Sequence, residues 1–311
     1  MPEGRASLAL LPWWLQSVPV PELPDLDVVA DALHAALAGR IVSTVRALAP
    51  LTVRGTGAEL DALAGQHVAG IARAGKFLDI ALDRDAIAIN PMLTGRFQLA
   101  GRGEKAPSGT AVEFALEARA SGPPADAAGW TVGAAWLPVD DAAVLVRYRD
   151  PTQMGKVYLL PAGLGRAVPG RGTGEMGPDA LDPAFTLDVW RERIRRHPGE
   201  LKNLLRNQAF VAGIGNAYAD EILFAARLHP FRKRSSLAAE EVDELYRAMR
   251  SVLTDSVSLL RERVPPTFEK QVRDHLSVHN RGGEPCLRCG TKITLVTAGG
   301  FPTGYCRGCQ R

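Results

Sequence analysis

The most explicit chemistry in this 311-residue chain is carried by its four cysteines, Cys286, Cys289, Cys306 and Cys309, all within the last 26 residues. Their pattern is C-x2-C, sixteen residues, then C-x2-C. Each pair offers two thiolates from one tight turn, and two such turns complete a tetrahedron around zinc. Two disulfides are the alternative, but no other cysteine occurs in the chain, which reads as intracellular. The stretch from Thr291 to Tyr305 is long enough for a short hairpin. This tail has too few apolar residues to fold alone, so we expect one structural Zn2+ whose binding supplies folding energy. Four thiolates leave no open position for catalysis.

Two further constellations stand out. In Gly213-Ile214-Gly215-Asn216-Ala217-Tyr218-Ala219-Asp220-Glu221, two glycines permit close backbone approach and Asn216 opens a helix, with Lys202 upstream. Unpaired N–H groups at a helix start make a phosphate site; a packing turn between two helices is equally compatible. In Pro21-Glu22-Leu23-Pro24-Asp25-Leu26-Asp27, two prolines and three acids precede a helical pattern, which simple capping and the helix dipole would explain.

The elements that must position these residues follow from periodicity. Residues 25–38 read as an amphipathic helix stopped at Gly39, and strand-like runs follow at 41–48, 68–73, 77–82, 86–90, 96–99, 112–118 and 143–148. Residues 161–178 are the clearest linker. Helical patterns then occupy 186–196, 200–207, 216–226, 238–262 and 266–274. His34, His67 and His229 read as surface or packing histidines, and Trp130, Trp136 and Trp190 as core.

The overall charge of +3 is uninformative, but its distribution is not. Residues 191–234 carry ten basic and four acidic side chains, and residues 270–311 seven and two. Such blocks suit a polyanion, or are simply solvated faces. With 46% hydrophobic and 23% charged residues, the composition excludes a mostly disordered chain, and no apolar run approaches the roughly 20 residues of a membrane span.

Taken together, PELPDLD, GIGNAYADE and the GEPC-x2-C…YC-x2-CQ tail resemble the formamidopyrimidine-DNA glycosylase / endonuclease VIII family, in order and in register over residues 21–311. The resemblance implies an α+β multidomain fold. Residues 1–20 would be an extension, 21–160 a catalytic β-sandwich, 161–180 a hinge linker, 181–275 a helix–two-turn–helix domain and 276–311 a zinc finger. It implies a base excision repair glycosylase with AP lyase activity on damaged double-stranded DNA, monomeric, away from membranes, and cytoplasmic on the bacterial nucleoid. Pro21 would be the nucleophile, its free amine having a pKa of about 8, with Glu22 as acid/base. Lys76 would hold phosphate near the lesion, and Lys202 and Asn216 would clamp phosphate from the helical domain.

The chain also departs from the family pattern. Pro21 is preceded by twenty residues, and an internal proline nitrogen cannot form an imine. Initiation at Val20, cleavage of the extension, or a lyase-inactive damage-binding protein would each account for this; we take initiation at Val20 as the working expectation. Met1-Pro2-Glu3-Gly4 offers a minor alternative terminus. Where one branch of the family has two arginines and a phenylalanine after Asp150-Pro151, this chain has Thr152-Gln153-Met154-Gly155. Met154 can wedge between bases and Gln153 can read a base edge; Met92 or Leu93 would fill the space of a flipped base. Phe301 stands where the zinc hairpin usually presents an arginine, leaving Arg307, Arg288 and Lys292 to supply the charge. A short stretch before His279 tilts the expected substrate toward oxidised pyrimidines or plain abasic sites.

Overall fold

The computed structural model describes residues 20–119, 134, 136–138, 142–265, 267–298 and 300–311. Residues 1–19 of the extension, Pro2 among them, and Trp130 lie outside the described residues. The chain forms two compact units, one built from residues 19–172 and 257–272, the other mainly from 173–256 and 273–311.

The first unit begins with helix α1 (Leu23–Leu37). It starts two residues earlier than periodicity suggests, because Glu22 is its N-cap. The Glu22 side chain accepts from the Asp25 N–H while the Glu22 N–H donates to Asp25 Oδ2 at 2.8 Å, a reciprocal capping box, and Pro24 fits the first turn where no N–H partner is needed. Two sheets follow. One has strand order β1 (Val42–Ala47), β7 (Thr110–Leu116), β8 (Val144–Arg149), β6 (Arg96–Gly101). The other runs β2 (Val53–Arg54), β9 (Lys156–Leu160), β5 (Ala86–Asn90), β4 (Phe77–Leu82), β3 (Val68–Ala74). All pairings are antiparallel except β2 with β9. Both sheets and α1 feed one apolar cluster, with Leu33, Leu78, Ile89, Val112 and Tyr148 essentially buried. A short helix α2 (Gly57–Asp61) is capped by Thr56. Trp136 is half-buried and packs against this cluster edge-on to Phe268.

In the second unit, α3 (Leu187–Arg196) buries Trp190 and Ile194, and Trp190 packs with Phe185, Phe210 and Tyr246. Helices α4 (Leu201–Arg206) and α5 (Asn216–Ala225) flank the glycine-containing turn. The long α6 (Ala239–Arg263) runs on from this unit, and its last turns belong to the first unit's core. The helix expected over 266–274 does not form: residues 267–274 are turns and irregular chain. Val264-Pro265-Pro266 is the reason, since proline removes a donor and excludes the preceding residue from helical backbone. The tail carries the hairpin β10 (Thr294–Ala298) and β11 (Phe301–Tyr305). No helix among the described residues is long and apolar enough to cross a membrane.

Candidate functional site

Pro21 is buried at the start of α1 and lines a small cavity together with Asp25, Arg96, Phe97, Lys270 and Gln271. Glu22 is 2% exposed. Arg96 is fixed across this cavity by a 2.7 Å bond from Nη2 to Gln271 Oε1. Lys76 stands half-buried on the β3–β4 turn after Gly75, whose φ of 59° suits glycine. Helix α1 is joined to β3 by the Arg73–Asp27 ion pair at 3.0 Å and by the Ile71 N–H donating to His34 Nδ1 at 3.1 Å. His34 is thus a packing residue, while His67 is exposed and pairs with Asp83.

Met92, Gln153 and Met154 occupy two loops that both cross from one sheet to the other. Residues 91–95 join β5 to β6, and 150–155 join β8 to β9. Met92 (39% exposed) and Gln153 adopt left-handed backbone with φ of 49° and 54°. The Met92 N–H donates to Asn90 Oδ1 and the Gln153 N–H to the Asp150 carbonyl, which offset the cost of that conformation. The Asp150 side chain lies between the loops.

In the second unit, Lys202 is 3% exposed, and its ammonium reaches Asp220 Oδ1 at 2.7 Å and Pro302 O and Thr303 Oγ1 at 2.8 Å each. Three N–H donors meet three acceptors. Through these contacts Lys202, expected from the sequence to face a phosphate, ties α4 and α5 to the hairpin. Asn216 Nδ2 also donates to Pro302 O, at 2.8 Å, so the two sequence-predicted clamp residues converge on one carbonyl. The two acids ending the glycine motif complete the arrangement. Asp220 accepts from His279 Nδ1 at 2.8 Å and from the Gly304 N–H at 3.1 Å. Glu221 accepts from the backbone N–H groups of Ser277, Val278 and His279 at 2.7, 2.9 and 2.9 Å. Burial nevertheless raises the Glu221 carboxyl above its ordinary pKa, the three N–H bonds opposing it.

The side chain that covers the hairpin tip is Arg206, whose guanidinium lies 3.5 Å from the Phe301 ring centroid. Sequence reasoning missed it, although its i, i+4 spacing from Lys202 on a short basic helix was available. Arg288 instead reaches from the tail to α5, stacking on Phe224 and donating to its carbonyl at 3.0 Å. Arg307 and Lys292 are exposed, and Arg307 sits within the second cysteine turn. Burial and then the charge of Arg307 hold the His229 imidazole below its usual pKa, and His229 packs edge-on to Tyr305.

The four Sγ atoms lie within 4.8 Å of one another, and none is in a disulfide. Cys286–Cys309 and Cys289–Cys306 are 3.9 and 3.5 Å apart. A tetrahedral ion with sulfur at about 2.3 Å requires sulfur–sulfur separations of about 3.8 Å, so these residues can hold one metal ion.

Residues 20–157 match the family model of the formamidopyrimidine-DNA glycosylase N-terminal domain, and residues 176–264 match that of the formamidopyrimidine-DNA glycosylase H2TH domain. The formamidopyrimidine-DNA glycosylase of Geobacillus kaustophilus is 32% identical over 300 residues, covering 94% of this chain and 100% of the relative. That of Symbiobacterium thermophilum is 33% identical over 302 residues, covering 94% and 89%. The chain belongs to the formamidopyrimidine-DNA glycosylase family.

Solved structures agree on the fold. The Lactococcus lactis formamidopyrimidine-DNA glycosylase bound non-covalently to abasic-site DNA has a TM-score of 0.75 and 23% identity, over 93% of this chain and 99% of that one. The wild-type Lactococcus enzyme with DNA containing an N7-benzyl formamidopyrimidine has a TM-score of 0.77 and the same 23% identity, over 94% and 100%. The expected α+β architecture of β domain, helix–two-turn–helix and four-cysteine tail is therefore that of the formamidopyrimidine-DNA glycosylase family.

Proposed function

We propose that this protein is a base excision repair DNA glycosylase with AP lyase activity, acting as a monomer on damaged double-stranded DNA in a cytoplasmic, nucleoid-associated setting. The observation that carries the reading is the placement of Pro21 and Glu22 at the start of α1, with Pro21 on a cavity shared with Arg96, Lys270 and Gln271, in a chain of this family. The lone pair of a free Pro21 amine attacks C1′ of the damaged nucleotide, and the bond from C1′ to the base breaks. The base leaves with a proton. On this reading Glu22 assists opening of the sugar ring, which breaks the bond from C1′ to O4′ and gives an iminium between Pro21 and C1′. Removal of a C2′ proton then expels the 3′ phosphate, and a second elimination expels the 5′ phosphate. Lys76 supplies positive charge near the site.

The four cysteines would hold a zinc ion that organises the tail and takes no part in the reaction. Arg206, carried on Phe301, provides the phosphate-facing cation that the hairpin position itself lacks. Met92, Gln153 and Met154 fill the space vacated when the nucleotide is flipped out, which costs a few kcal/mol and less at a damaged pair.

A second reading has one observation in its favour: in the 311-residue chain the Pro21 nitrogen is an amide. A zinc-containing damage-binding protein without lyase chemistry would look like this. Borohydride trapping on an abasic duplex separates the two. We expect the form beginning at Pro21 to become covalently linked and the 311-residue form not to. If neither form traps, the enzyme reading is wrong; trapping by the longer form would mean that Pro21 is not the nucleophile or that the extension is removed, which mass measurement of the adduct distinguishes.

A further inference from the structure

The two inter-sheet crossovers of the first unit are built as a pair. At one end β5 is paired with β9, the last rung being Asn90 with Lys156; at the other β6 is paired with β8, with Arg96 opposite Arg149. The loops 91–95 and 150–155 therefore leave and enter neighbouring strands in both sheets. Their main chains are pinned alike. Arg96 Nη1, at the start of β6, donates to the carbonyls of Gly95 and Leu93 at 2.7 and 3.2 Å. Lys156 Nζ, at the start of β9, donates to those of Gln153 and Gly155 at 2.7 and 3.1 Å.

A buried carboxylate links the two. Asp150 is 1% exposed. One of its oxygens accepts from the hydroxyl of Thr94, in the first loop, and from that of Thr152, in the second, at 3.0 Å for the latter. The two hydroxyl oxygens are themselves 2.6 Å apart. The other carboxylate oxygen accepts the Gly155 N–H at 2.6 Å. Both loops also close on the buried Tyr148 hydroxyl: a Cβ at Gly95 would fall 2.4 Å from it and one at Gly155 1.9 Å. The exposed side chains of the two loops are Met92 on one and Pro151 and Gln153 on the other, and Gly95 and Arg96 line the Pro21 cavity.

We infer that Thr94 and Asp150 lock the two crossovers into one insertion device, so that Met92 and the Gln153–Met154 pair enter the duplex together and at a fixed height above the Pro21 cavity. Asp150 is then a positioning residue for base extrusion and not a catalytic one. The inference rests on the glycosylase reading given above, and adds to it a coupling between loops that are 56 residues apart in sequence at Thr94 and Asp150. The functional content is that losing the link costs more than losing either inserted side chain's own contact. A loop free to move independently refills the gap only when both happen to be in place.

Two measurements on the whole chain, in the form that begins at Pro21, test this. The first needs no DNA. Thr94→Val removes the link without touching the second loop's own bonds, and Asp150→Ala removes both. Asp150→Asn keeps them, because the amide oxygen can accept from the Gly155 N–H while the amide nitrogen donates to the Thr94 oxygen, whose hydroxyl donates on to Thr152. Hydrogen exchange should rise in 150–155 in Thr94→Val, rise further in Asp150→Ala and stay near wild type in Asp150→Asn. Unchanged exchange of 150–155 in Thr94→Val overturns the lock. The second uses a duplex with a stable abasic analogue and 2-aminopurine opposite it. In the wild type, Met92→Ala and Met154→Ala should be non-additive in the extrusion signal; in the Thr94→Val background they should be additive, with extrusion itself ~10-fold weaker. Additivity already in the wild type, or raised exchange with unaltered extrusion, overturns the positioning role. Failure of the glycosylase reading looks different: the wild type would then show no preference for the abasic duplex over an undamaged one.

Discussion

The two units hold their chemistry-bearing residues by different means. In the first, Met92 and Gln153 are placed through the main chain, by loop carbonyls and N–H groups that Arg96, Lys156 and Asp150 engage. In the second, placement runs through buried side-chain charge: Lys202 against Asp220, and Glu221 against three N–H groups of the tail. Main-chain placement leaves the side chain itself available for a ligand. Side-chain charge placement consumes the group, and its removal strands a buried partner. Substitutions in the first unit should therefore cost function before stability, and those in the second the reverse.

The largest effect that would sharpen this contrast is metal loss. Stripping the ion, or Cys306→Ser, should unfold the tail, because structural zinc contributes on the order of 10 kcal/mol to such folds. Circular dichroism alongside metal content checks it, and a tail that keeps its structure without metal would break the expectation. Lys202→Met comes next. It removes the cation opposite buried Asp220, leaving that carboxylate only His279 and the Gly304 N–H, and should lower unfolding stability by about 3–5 kcal/mol in denaturant titrations. A loss under about 1 kcal/mol would show that the pair does not hold the hairpin. In the first unit, Gly155→Ala drives a methyl group into the Tyr148 hydroxyl, with an expected cost of about 1–3 kcal/mol. Adding Tyr148→Phe should recover part of it, since the hydroxyl is buried without a hydrogen-bond partner among the described residues; no recovery would place the strain against the Asn90 carbonyl instead. The smallest effect is Arg206→Ala, which should leave the melting temperature nearly unchanged. It should weaken duplex binding a few-fold and reduce the salt slope by about 1. An unaltered slope would remove Arg206 from the interface.

Local features were legible in the sequence because they depend on spacing alone. The cysteine quartet, α1 and α6 follow from residue period and ligand arithmetic. Strand β9 was not, since Lys156–Leu160 is a short apolar run whose state is decided by its neighbours β2 and β5. The false helix after Val264 came from weighing periodicity above two prolines. Of the site, the motif residues were visible but their roles were less so. Lys202 reads as a surface cation until its three acceptors, about 18 and 100 residues away along the chain, are brought to it. Asp150 reads as the start of a turn until Thr94 arrives from another strand connection. Arg206 stayed invisible because its platform, Phe301, lies in the tail.

The first unit's core takes Leu260, Val264 and Phe268 from a stretch of chain made after most of the second unit. A ribosome delivers residues in order, so the sandwich and α1 emerge early with an open seam that only the end of α6 can close. The nascent protein must therefore keep the start of α1 in an unfinished core while some ninety further residues are added. Chaperone demand during synthesis should fall sharply once residue 272 has cleared the exit tunnel.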